Sequence, residues 1–158
     1  MSLDMTPSGE TGVILTRAFS APPQRLFPAW TTPELIRRWM LGPEGWRMTE
    51  CRTDPRPGGE FHFAYTHDDG RAFTISGSYL AIEPPRLIRH REVMAMPEGR
   101  TRTDVETRFE ADGTGTRLRV ALGYENAAIR DAILTAAMKD GMEAGYARLD
   151  ALLAASES

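Results

Sequence analysis

The order of segments along the chain constrains the fold more than any single residue does. A short β-rich segment comes first, two short helical segments follow, a run of alternating strands comes next, and one long helical segment ends the sequence. An antiparallel sheet that curves around a single long helix accommodates this order and tends to enclose a cavity. The order therefore predicts an α+β fold, with a curved antiparallel β-sheet of about seven strands wrapped around a long C-terminal helix.

Two start signals predict the two short helices after the first strand. Residues 13–19 are β-rich, and the Ala-Pro-Pro that follows at residues 21–23 suits a helix entry, because proline at the first helical position has no donor to lose. Residues 31–34, Thr-Thr-Pro-Glu, combine a cap, a proline and an acid in the first turn. Arg17 lies in the apolar phase of the strand, so it either reaches the interior or extends to solvent. We favour the second arrangement.

Alternation of apolar and polar residues predicts the strands of the sheet. Residues 60–67 alternate cleanly, and residues 71–82 continue the pattern after the Asp-Asp-Gly turn at residues 68–70. Residues 101–123 read as a hairpin with one apolar face and one charged face. On the concave face of the sheet we expect Phe63, Tyr65, Phe73 and Tyr79.

The last helix is predicted over residues 127–155, with Asn126 as its cap. Gly141 and Gly145 lie four residues apart on one face, and each glycine costs about 1 kcal/mol relative to alanine in a helix interior. The two glycines therefore indicate that a side chain on that stripe would obstruct a neighbouring group. Close approach of the sheet or of the first helices is the favoured explanation, and room for a ligand is the alternative. The residues that would flank this space are Met138, Met142 and Tyr146.

Composition and charge bear on the class of protein. The formal net charge is −3, which disfavours binding to nucleic acid and gives no reason to expect an anionic membrane surface as partner. A single cysteine excludes an intramolecular disulfide and fits a reducing cytoplasm. Residues 1–12 have neither the basic region nor the apolar run of a signal peptide, and we expect them to be a disordered lead-in. Residues 13–155 are expected to form a single domain.

The sequence contains no recognised catalytic or metal motif. His62 and His67 are five residues apart, but a strand residue and a turn residue at that distance would face opposite sides, so we expect no metal. Cys51 has no histidine near it in sequence and is expected to be an inert thiol. No nucleophile elbow, phosphate-binding loop or dinucleotide fingerprint is present, so we expect no cofactor and assign no catalytic residue.

One strand poses an open question about its orientation. Alternation puts Arg89 and Arg91 on one face and His90 and Glu92 on the other. Inward arginines would favour an anionic ligand such as a carboxylate, whereas an inward His90–Glu92 pair could transfer protons. A third alternative is an edge-like strand with both charged faces in water or with the inner pair shared with acidic neighbours.

A set of short motifs carries a resemblance to a known superfamily. The motifs are Arg-Ala-Phe at 17–19, Ala-Trp-Thr at 29–31, Arg-Pro-Gly-Gly at 56–59, Gly-Ser-Tyr at 77–79, Pro-Pro-Arg-Leu at 84–87, Gly-Thr-Arg-Leu at 115–118 and the helix at 141–153. In order and spacing the chain resembles the helix-grip fold of the START-like (SRPBCC) superfamily, and more specifically its heat-shock-protein-90 ATPase activator homologue-like family. The resemblance covers about residues 13–153. Because the superfamily contains lipid carriers, hormone receptors and polyketide cyclases, it implies the fold and no single activity.

The sequence departs from the family at two places. The strand after Pro-Pro is usually apolar, but here residues 89–92 are charged or polar, which would make part of the cavity wall polar. The bulky residue usual in the last helix is replaced by Met142, which would leave the helix face softer and the cavity wider.

Taken together, these features predict a cytoplasmic protein that binds a small, largely apolar molecule, with a carboxylate or phenol group, in the cavity between sheet and C-terminal helix. One alternative is a cyclase- or hydrolase-type enzyme in the same cavity, with His90, Glu92 or Tyr65 as acid or base. The other is a protein-interaction module acting on a chaperone; it is not favoured, because a single domain lacks the additional domain of the eukaryotic activators. A homodimer stays open.

The loop at residues 40–45 carries glycine and proline and has a tryptophan at each side, which suggests a cavity entrance; an edge cluster that closes the sheet is the alternative. Strand phase and the apolar stripe of the last helix predict the side chains of the ligand site. They are Trp39, Trp46, Phe63, Tyr65, Phe73, Tyr79, Arg89, Arg91, Met138, Met142 and Tyr146.

Overall fold

A computed structural model describes residues 2–42 and 44–155 of the chain. These residues form one antiparallel sheet of eight strands in the order β1-β2-β8-β7-β6-β5-β4-β3. The strands are β1 (Asp4–Ser8), β2 (Gly12–Phe19), β3 (Trp46–Thr53), β4 (Glu60–His67), β5 (Ala72–Glu83), β6 (Leu87–Met96), β7 (Gly99–Asp112) and β8 (Gly115–Tyr124). The helices are α1 (Pro23–Leu26), α2 (Pro33–Trp39), α3 (Ala127–Ile133) and α4 (Ala136–Ala155), with a 3-10 turn at Phe27–Trp30.

The N-terminal residues differ from the expectation that residues 1–12 are disordered. Residues 4–8 pair with β2 as an edge strand, and Leu3 before them is buried in the core. The hairpin turns at Gly9, whose positive φ of 60° suits glycine. Arg130 of α3 donates hydrogen bonds from Nη1 to the carbonyl oxygens of Gly9 and Gly12, which ties the turn to the helix. A polar strand that contains a proline is compatible with a sheet edge, and alternation alone does not reveal it.

The core lies on the inner face of the sheet, the face that the helices cover. Val13, Leu15 and Phe19 of β2 are buried there, and Leu118 and Val120 of β8 continue the layer on the next strand. The intervening residues of β8, such as the arginines, point to the opposite, outer face. This alternation of buried and exposed residues is the pattern of an antiparallel sheet with one covered face.

The C-terminal helical segment is divided into two helices. Asn126 caps α3 as expected, since its Oδ1 accepts a hydrogen bond from the amide of Ile129 at 2.8 Å. The helix then ends at Ile133 rather than running on to the C-terminus. The Oγ1 of Thr135 accepts a hydrogen bond from the amide of Met138 at 3.2 Å, so α4 begins with its own cap.

Arg17 holds α4 against the sheet. The expectation that this side chain extends to solvent is wrong, because only 3% of the residue is exposed. Its Nε donates to Oε2 of Glu143 at 2.9 Å and its Nη2 donates to Oδ2 of Asp150 at 2.8 Å. The guanidinium also lies 4.7 Å from the ring centre of Phe19. Burial by itself lowers the pKa of Arg17, but the two carboxylates outweigh this effect and raise the pKa above its usual value, so the group stays charged.

The two glycines of α4 have different surroundings. A Cβ at Gly145 would lie 3.4 Å from the carbonyl oxygen of Trp39, so this glycine allows α4 to pass close to the end of α2. Arg148 strengthens the same contact by donating from Nη2 to the carbonyl oxygen of Gly42 at 3.0 Å. A Cβ at Gly141 would meet no neighbouring atom within 4 Å. Close packing therefore explains Gly145 and leaves Gly141 without such a reason.

Candidate functional site

Aromatic side chains cover the inner face of β4 and β5. The rings of Tyr65 and Phe73 are stacked with their centres 4.7 Å apart, and Phe61 lies 5.4 Å from Phe63 and 5.2 Å from Tyr79. We call these five residues the aromatic wall. Four of them, all except Phe61, were predicted as ligand-site residues, and the structure brings all five together on this face.

Two tyrosine hydroxyls fix the aromatic wall to neighbouring elements. Tyr65 donates a hydrogen bond to the carbonyl oxygen of Met40 at 2.9 Å, and the hydroxyl of Tyr79 is 2.5 Å from Oγ1 of Thr53. Burial raises the pKa of both tyrosines, and the carboxylate of Glu92 adds to the effect at Tyr65. Both hydroxyls are therefore neutral near pH 7, and the wall is apolar with its polar atoms already paired.

His90 and Glu92 extend the inner face from the aromatic wall onto β6. His90 lies directly opposite Tyr79 of β5, and Glu92 lies opposite Gly77. Nε2 of His90 is 3.2 Å from Oε1 of Glu92, and the imidazole meets the ring of Phe61 edge-on at 5.2 Å. The side chains are 18% and 23% exposed. We call His90 and Glu92 the polar pair.

One nitrogen of the polar pair has no partner. Nδ1 of His90 is buried and makes no hydrogen bond with any residue that the structure describes. Buried polar atoms in proteins are nearly always hydrogen-bonded to the protein or to ordered water, so this nitrogen calls for a water molecule or another donor beside it. The aromatic wall therefore ends beside a buried nitrogen whose hydrogen-bonding capacity is unused among the described residues.

Arg89 and Arg91 lie on the outer face of the sheet and do not line the concave side. Both residues are exposed, and Nε of Arg91 donates to Oδ1 of Asp104 at 2.7 Å. The structure therefore corrects the expected face of these two arginines, which were predicted as part of a ligand site on the concave side. Ile88 of β6 is buried on the inner face. Because side chains alternate along a strand, His90 and Glu92 share that face and the two arginines lie on the other.

A row of polar residues crosses the inner face beside the polar pair. Glu92 is opposite Thr103 of β7, and Thr103 is opposite Tyr124 of β8, so the three side chains share one face. Burial raises the pKa of Tyr124 to about 12, and the Glu92 carboxylate is the second cause. Tyr124 was not predicted as a site residue, because its place beside Glu92 and Thr103 follows only from the register of three strands.

The side chains predicted on α4 divide between core and site. Tyr146 is buried in the core, where its ring stacks on Trp39 at 5.9 Å and meets Phe19 edge-on at 5.7 Å. Met142 is only partly buried and packs at the border of the core. Met138, one turn earlier, is also partly buried. The methionines therefore remain candidates for contact with a ligand, whereas Tyr146 serves the core.

The two tryptophans do not form one rim. Trp39 is buried, packs on Trp30 at 4.7 Å and donates its indole N–H to the carbonyl oxygen of Ala29 at 2.9 Å. Trp46 is partly buried and lies 4.9 Å from Phe73, at the end of the aromatic wall. The interpretation of both residues as a cavity entrance therefore fails for Trp39, which is a core residue.

The other histidines are paired with carboxylates, and the cysteine is buried. Nε2 of His62 is 3.0 Å from Oε2 of Glu50, and Nδ1 of His67 is 3.0 Å from Oδ1 of Asp69. Cys51 is buried, and burial raises the pKa of its thiol, which disfavours the reactive thiolate. Within residues 2–42 and 44–155, no three His, Cys, Asp or Glu side chains come together in a way that could hold a metal ion.

Two hollows lie outside the expected place between sheet and α4. One of about 490 Å³ is at the end of the sheet near α1, between Pro23 and Phe109. The other, of about 320 Å³, is on the outer face of the sheet, beside Ile14, Leu80 and Arg89. Neither is lined by a residue of the aromatic wall, but the second is also bordered by His90 of the polar pair and by Arg91. On the inner face the helices leave several apolar side chains only partly covered, among them Met48, Phe73, Ile75, Leu122, Tyr124 and Met142.

A single curved sheet that holds a long C-terminal helix, with two short helices after β2, defines a helix-grip fold. The chain belongs to the family described as activator of Hsp90 ATPase homolog 1-like protein, a member of the START-like (SRPBCC) superfamily, because the family model matches residues 20–154. This confirms the resemblance and the fold class expected from the sequence. None of the helices in the described part of the chain has the length and apolar character needed to cross a lipid bilayer.

Solved structures support the same assignment. A protein from Rhodobacter sphaeroides is 32% identical, with a TM-score of 0.87 over 98% of this chain and 99% of its own. A protein from Nitrosomonas europaea is 22% identical, with a TM-score of 0.81 over 96% and 99%, and one from Mycobacterium smegmatis is 21% identical, with a TM-score of 0.80 over 95% of each chain. The last two show the fold alone. No curated protein matches the sequence.

Proposed function

We propose that the protein binds a small, largely apolar molecule between the aromatic wall and α4. One observation carries the proposal: partly covered apolar side chains surround the polar pair, whose Nδ1 atom has no partner among the described residues. A ligand-binding surface of this kind combines apolar contact area with a few fixed polar groups. The apolar area would drive binding, at about 25 cal/mol per Å² removed from water.

The hydrogen bonds that fix the aromatic wall favour a binding role. Tyr65 and Tyr79 have their hydroxyls paired with Met40 and Thr53, so the rings are held in place before a ligand arrives. A preformed surface loses less conformational entropy on binding than a mobile one does. Across from the wall, the buried Arg17 fixes the middle and C-terminal part of α4.

Near the start of α4, Gly141 has open space where a side chain would stand, and Met142 beside it is only partly covered. We infer that a ligand would enter at this end of the helix. Methionine adapts to guests of irregular shape, which suits a surface of this kind.

A second candidate is proton-transfer catalysis at the same place, as in a cyclase or hydrolase. The separation of 3.2 Å between Nε2 of His90 and Oε1 of Glu92 favours it, since a carboxylate orients an imidazole that then acts through its other nitrogen. A catalytic imidazole must contact the bound molecule. Side-chain NMR resonances of His90 that do not respond to a bound ligand would therefore exclude this candidate.

The binding proposal is tested with N-phenyl-1-naphthylamine, a neutral probe whose fluorescence rises in apolar surroundings. We expect saturable binding to the wild-type protein and about tenfold weaker binding to Gly141→Leu, because the leucine would occupy the open space beside α4. Ala144→Leu is the matched control, since residue 144 is exposed on the same helix. Its affinity for the probe should equal that of the wild type.

Two outcomes would contradict the proposal. One is the absence of saturable binding to the wild-type protein. The other is equal weakening by the substitutions at Gly141 and Ala144, because the effect would then follow from the added leucine and not from its position. Circular dichroism of each variant checks that the fold is retained.

A further inference from the structure

The polar groups on the inner face near the aromatic wall are hydrogen-bond acceptors or neutral hydroxyls. Glu92 is an acceptor: its Oε1 is paired with His90, and its second oxygen accepts no hydrogen bond from the residues that the structure describes. Thr103 and Tyr124, which continue the row, carry neutral hydroxyls. The charge presented to a molecule on the inner face at this point is therefore that of a carboxylate.

The cations that could balance this carboxylate are directed elsewhere. Arg17 is engaged with Glu143 and Asp150. Arg148 donates to backbone carbonyl oxygens at the end of α2 and in the following loop. Arg91 pairs with Asp104 on the outer face. Arg89 is also exposed on that face, so the two arginines of β6 point away from the site.

The contact with Glu92 also fixes the tautomer of His90. A carboxylate oxygen can only accept, so neutral imidazole must carry its proton on Nε2, the nitrogen that is 3.2 Å from Oε1. Nδ1 is then an acceptor as well, and it is the atom without a partner among the described residues. With the imidazole neutral, two acceptors without a partner among the described residues therefore lie at alternate positions of β6, namely Nδ1 of His90 and the second oxygen of Glu92.

We propose that the ligand is an apolar molecule that carries a hydroxyl or amine donor, and that the polar pair excludes carboxylates. The inference rests on the proposed binding function and narrows it to one chemical class. A donor placed here forms a hydrogen bond to a charged acceptor, which is stronger than a bond between neutral groups. With the imidazole of His90 neutral, a carboxylate would meet the like charge of Glu92, because Arg17, Arg89, Arg91 and Arg148 are directed elsewhere. Specificity arises from such repulsion as much as from attraction. This reverses the expectation of a carboxylate ligand that inward arginines would have favoured.

The test uses three compounds of nearly equal shape: 2-naphthol, its methyl ether 2-methoxynaphthalene, and 2-naphthoate. Isothermal titration calorimetry at pH 7.5 gives their affinities for the wild-type protein. We expect 2-naphthol to bind about tenfold or more tightly than either of the others, because only it donates to the polar pair without bringing a charge.

Glu92→Gln removes the charge and keeps the shape of the side chain. We expect it to weaken the binding of 2-naphthol and to strengthen the binding of 2-naphthoate, so that the ratio of the two affinities falls about tenfold or more. Glu106→Gln is the matched control, because Glu106 pairs with Arg108 and lies opposite Arg89 on the outer face. It changes the net charge by the same amount and should leave the ratio unchanged.

The outcomes separate the two proposals. If N-phenyl-1-naphthylamine binds but the three naphthalenes bind equally, or 2-naphthoate binds most tightly, the donor inference is overturned and the proposed binding function stands. If none of the four compounds binds, the proposed function is overturned together with the inference. Equal changes of the affinity ratio in the Glu92 and Glu106 variants would also overturn the inference, since the effect would then be one of net charge alone.

Discussion

Single residues on β6 decide which polar groups the inner face of the sheet presents. His90 and Glu92 face the core side, while Arg89 and Arg91 face water, and a shift of the strand by one residue would exchange the two pairs. The register with β5 prevents this exchange, because Tyr79 stands opposite His90 and is itself buried. The acceptor character of the site is thus a consequence of strand phase.

The two glycines of α4 give a prediction at the same scale. Gly141→Ala should raise the free energy of unfolding by about 0.5–1 kcal/mol, because alanine loses less entropy in a helix and its Cβ meets no neighbour within 4 Å. Gly145→Ala should gain less stability than Gly141→Ala, since its Cβ would come into close contact with the carbonyl oxygen of Trp39, 3.4 Å away. Urea unfolding followed by circular dichroism measures both values. Equal gains at the two positions would contradict the different roles assigned to these glycines.

The sequence could predict most of the wall but not the orientation of β6. Phe63, Tyr65 and Phe73 alternate with small or polar neighbours, and Tyr79 keeps the phase of Phe73, so their common face could be predicted from the pattern. Residues 89–92 carry charged or polar side chains on both faces of the strand, so alternation left both orientations open. The choice depends on pairing with strands that are distant in sequence.

At the scale of elements, α4 is held at one end and left open at the other. Arg17 joins β2 to two carboxylates that are two helical turns apart on α4, and Gly145 allows the helix to rest on α2. Nothing comparable lies beside Gly141. This asymmetry of support along one helix is the basis for the proposed entry of a ligand near Gly141.

Removal of the Arg17 contact should weaken the attachment of α4. Arg17→Met should lower the free energy of unfolding by roughly 2–4 kcal/mol, because it leaves two partly covered carboxylates without their cation. Arg91→Met is the matched control, since it breaks an exposed pair with Asp104 and should cost no more than about 1 kcal/mol.

Chemical denaturation of both variants at neutral pH provides the measurement. A loss of stability in Arg17→Met that is no larger than in Arg91→Met would show that the buried contact does not hold the helix. Partial recovery of stability when Glu143→Gln and Asp150→Asn are added to Arg17→Met would support the electrostatic cause, because the unpaired charges are then removed as well.

Element boundaries depended on side-chain contacts that the sequence pattern does not contain. The expected single helix over residues 127–155 is interrupted because Thr135 provides a second cap. The polar residues 4–8 form an edge strand because Leu3 is buried and Arg130 holds the turn. Arg17 was expected to reach solvent, but its two carboxylate partners are more than 120 residues away in sequence.

At the scale of the whole molecule, the order of segments was sufficient to predict the helix-grip fold and the family. The expected cavity between the sheet and the C-terminal helix could not be predicted in the same way, because it depends on how the side chains pack. The two hollows lie elsewhere, and the inner face offers an incompletely covered apolar surface with an acceptor pair. The central claim is that this surface, and not the outer hollow, is where a small molecule binds.

The most direct test of this claim is a two-dimensional ¹H–¹⁵N NMR titration of the assigned wild-type protein with N-phenyl-1-naphthylamine. We predict the largest shift changes in residues 61–65, 73–79 and 92–94 and in residues 138–142 of α4, together with a response of the His90 side chain. Changes centred on Ile14, Leu80 and Ala121, which border the outer hollow, would contradict the claim, as would a spectrum that the probe leaves unchanged.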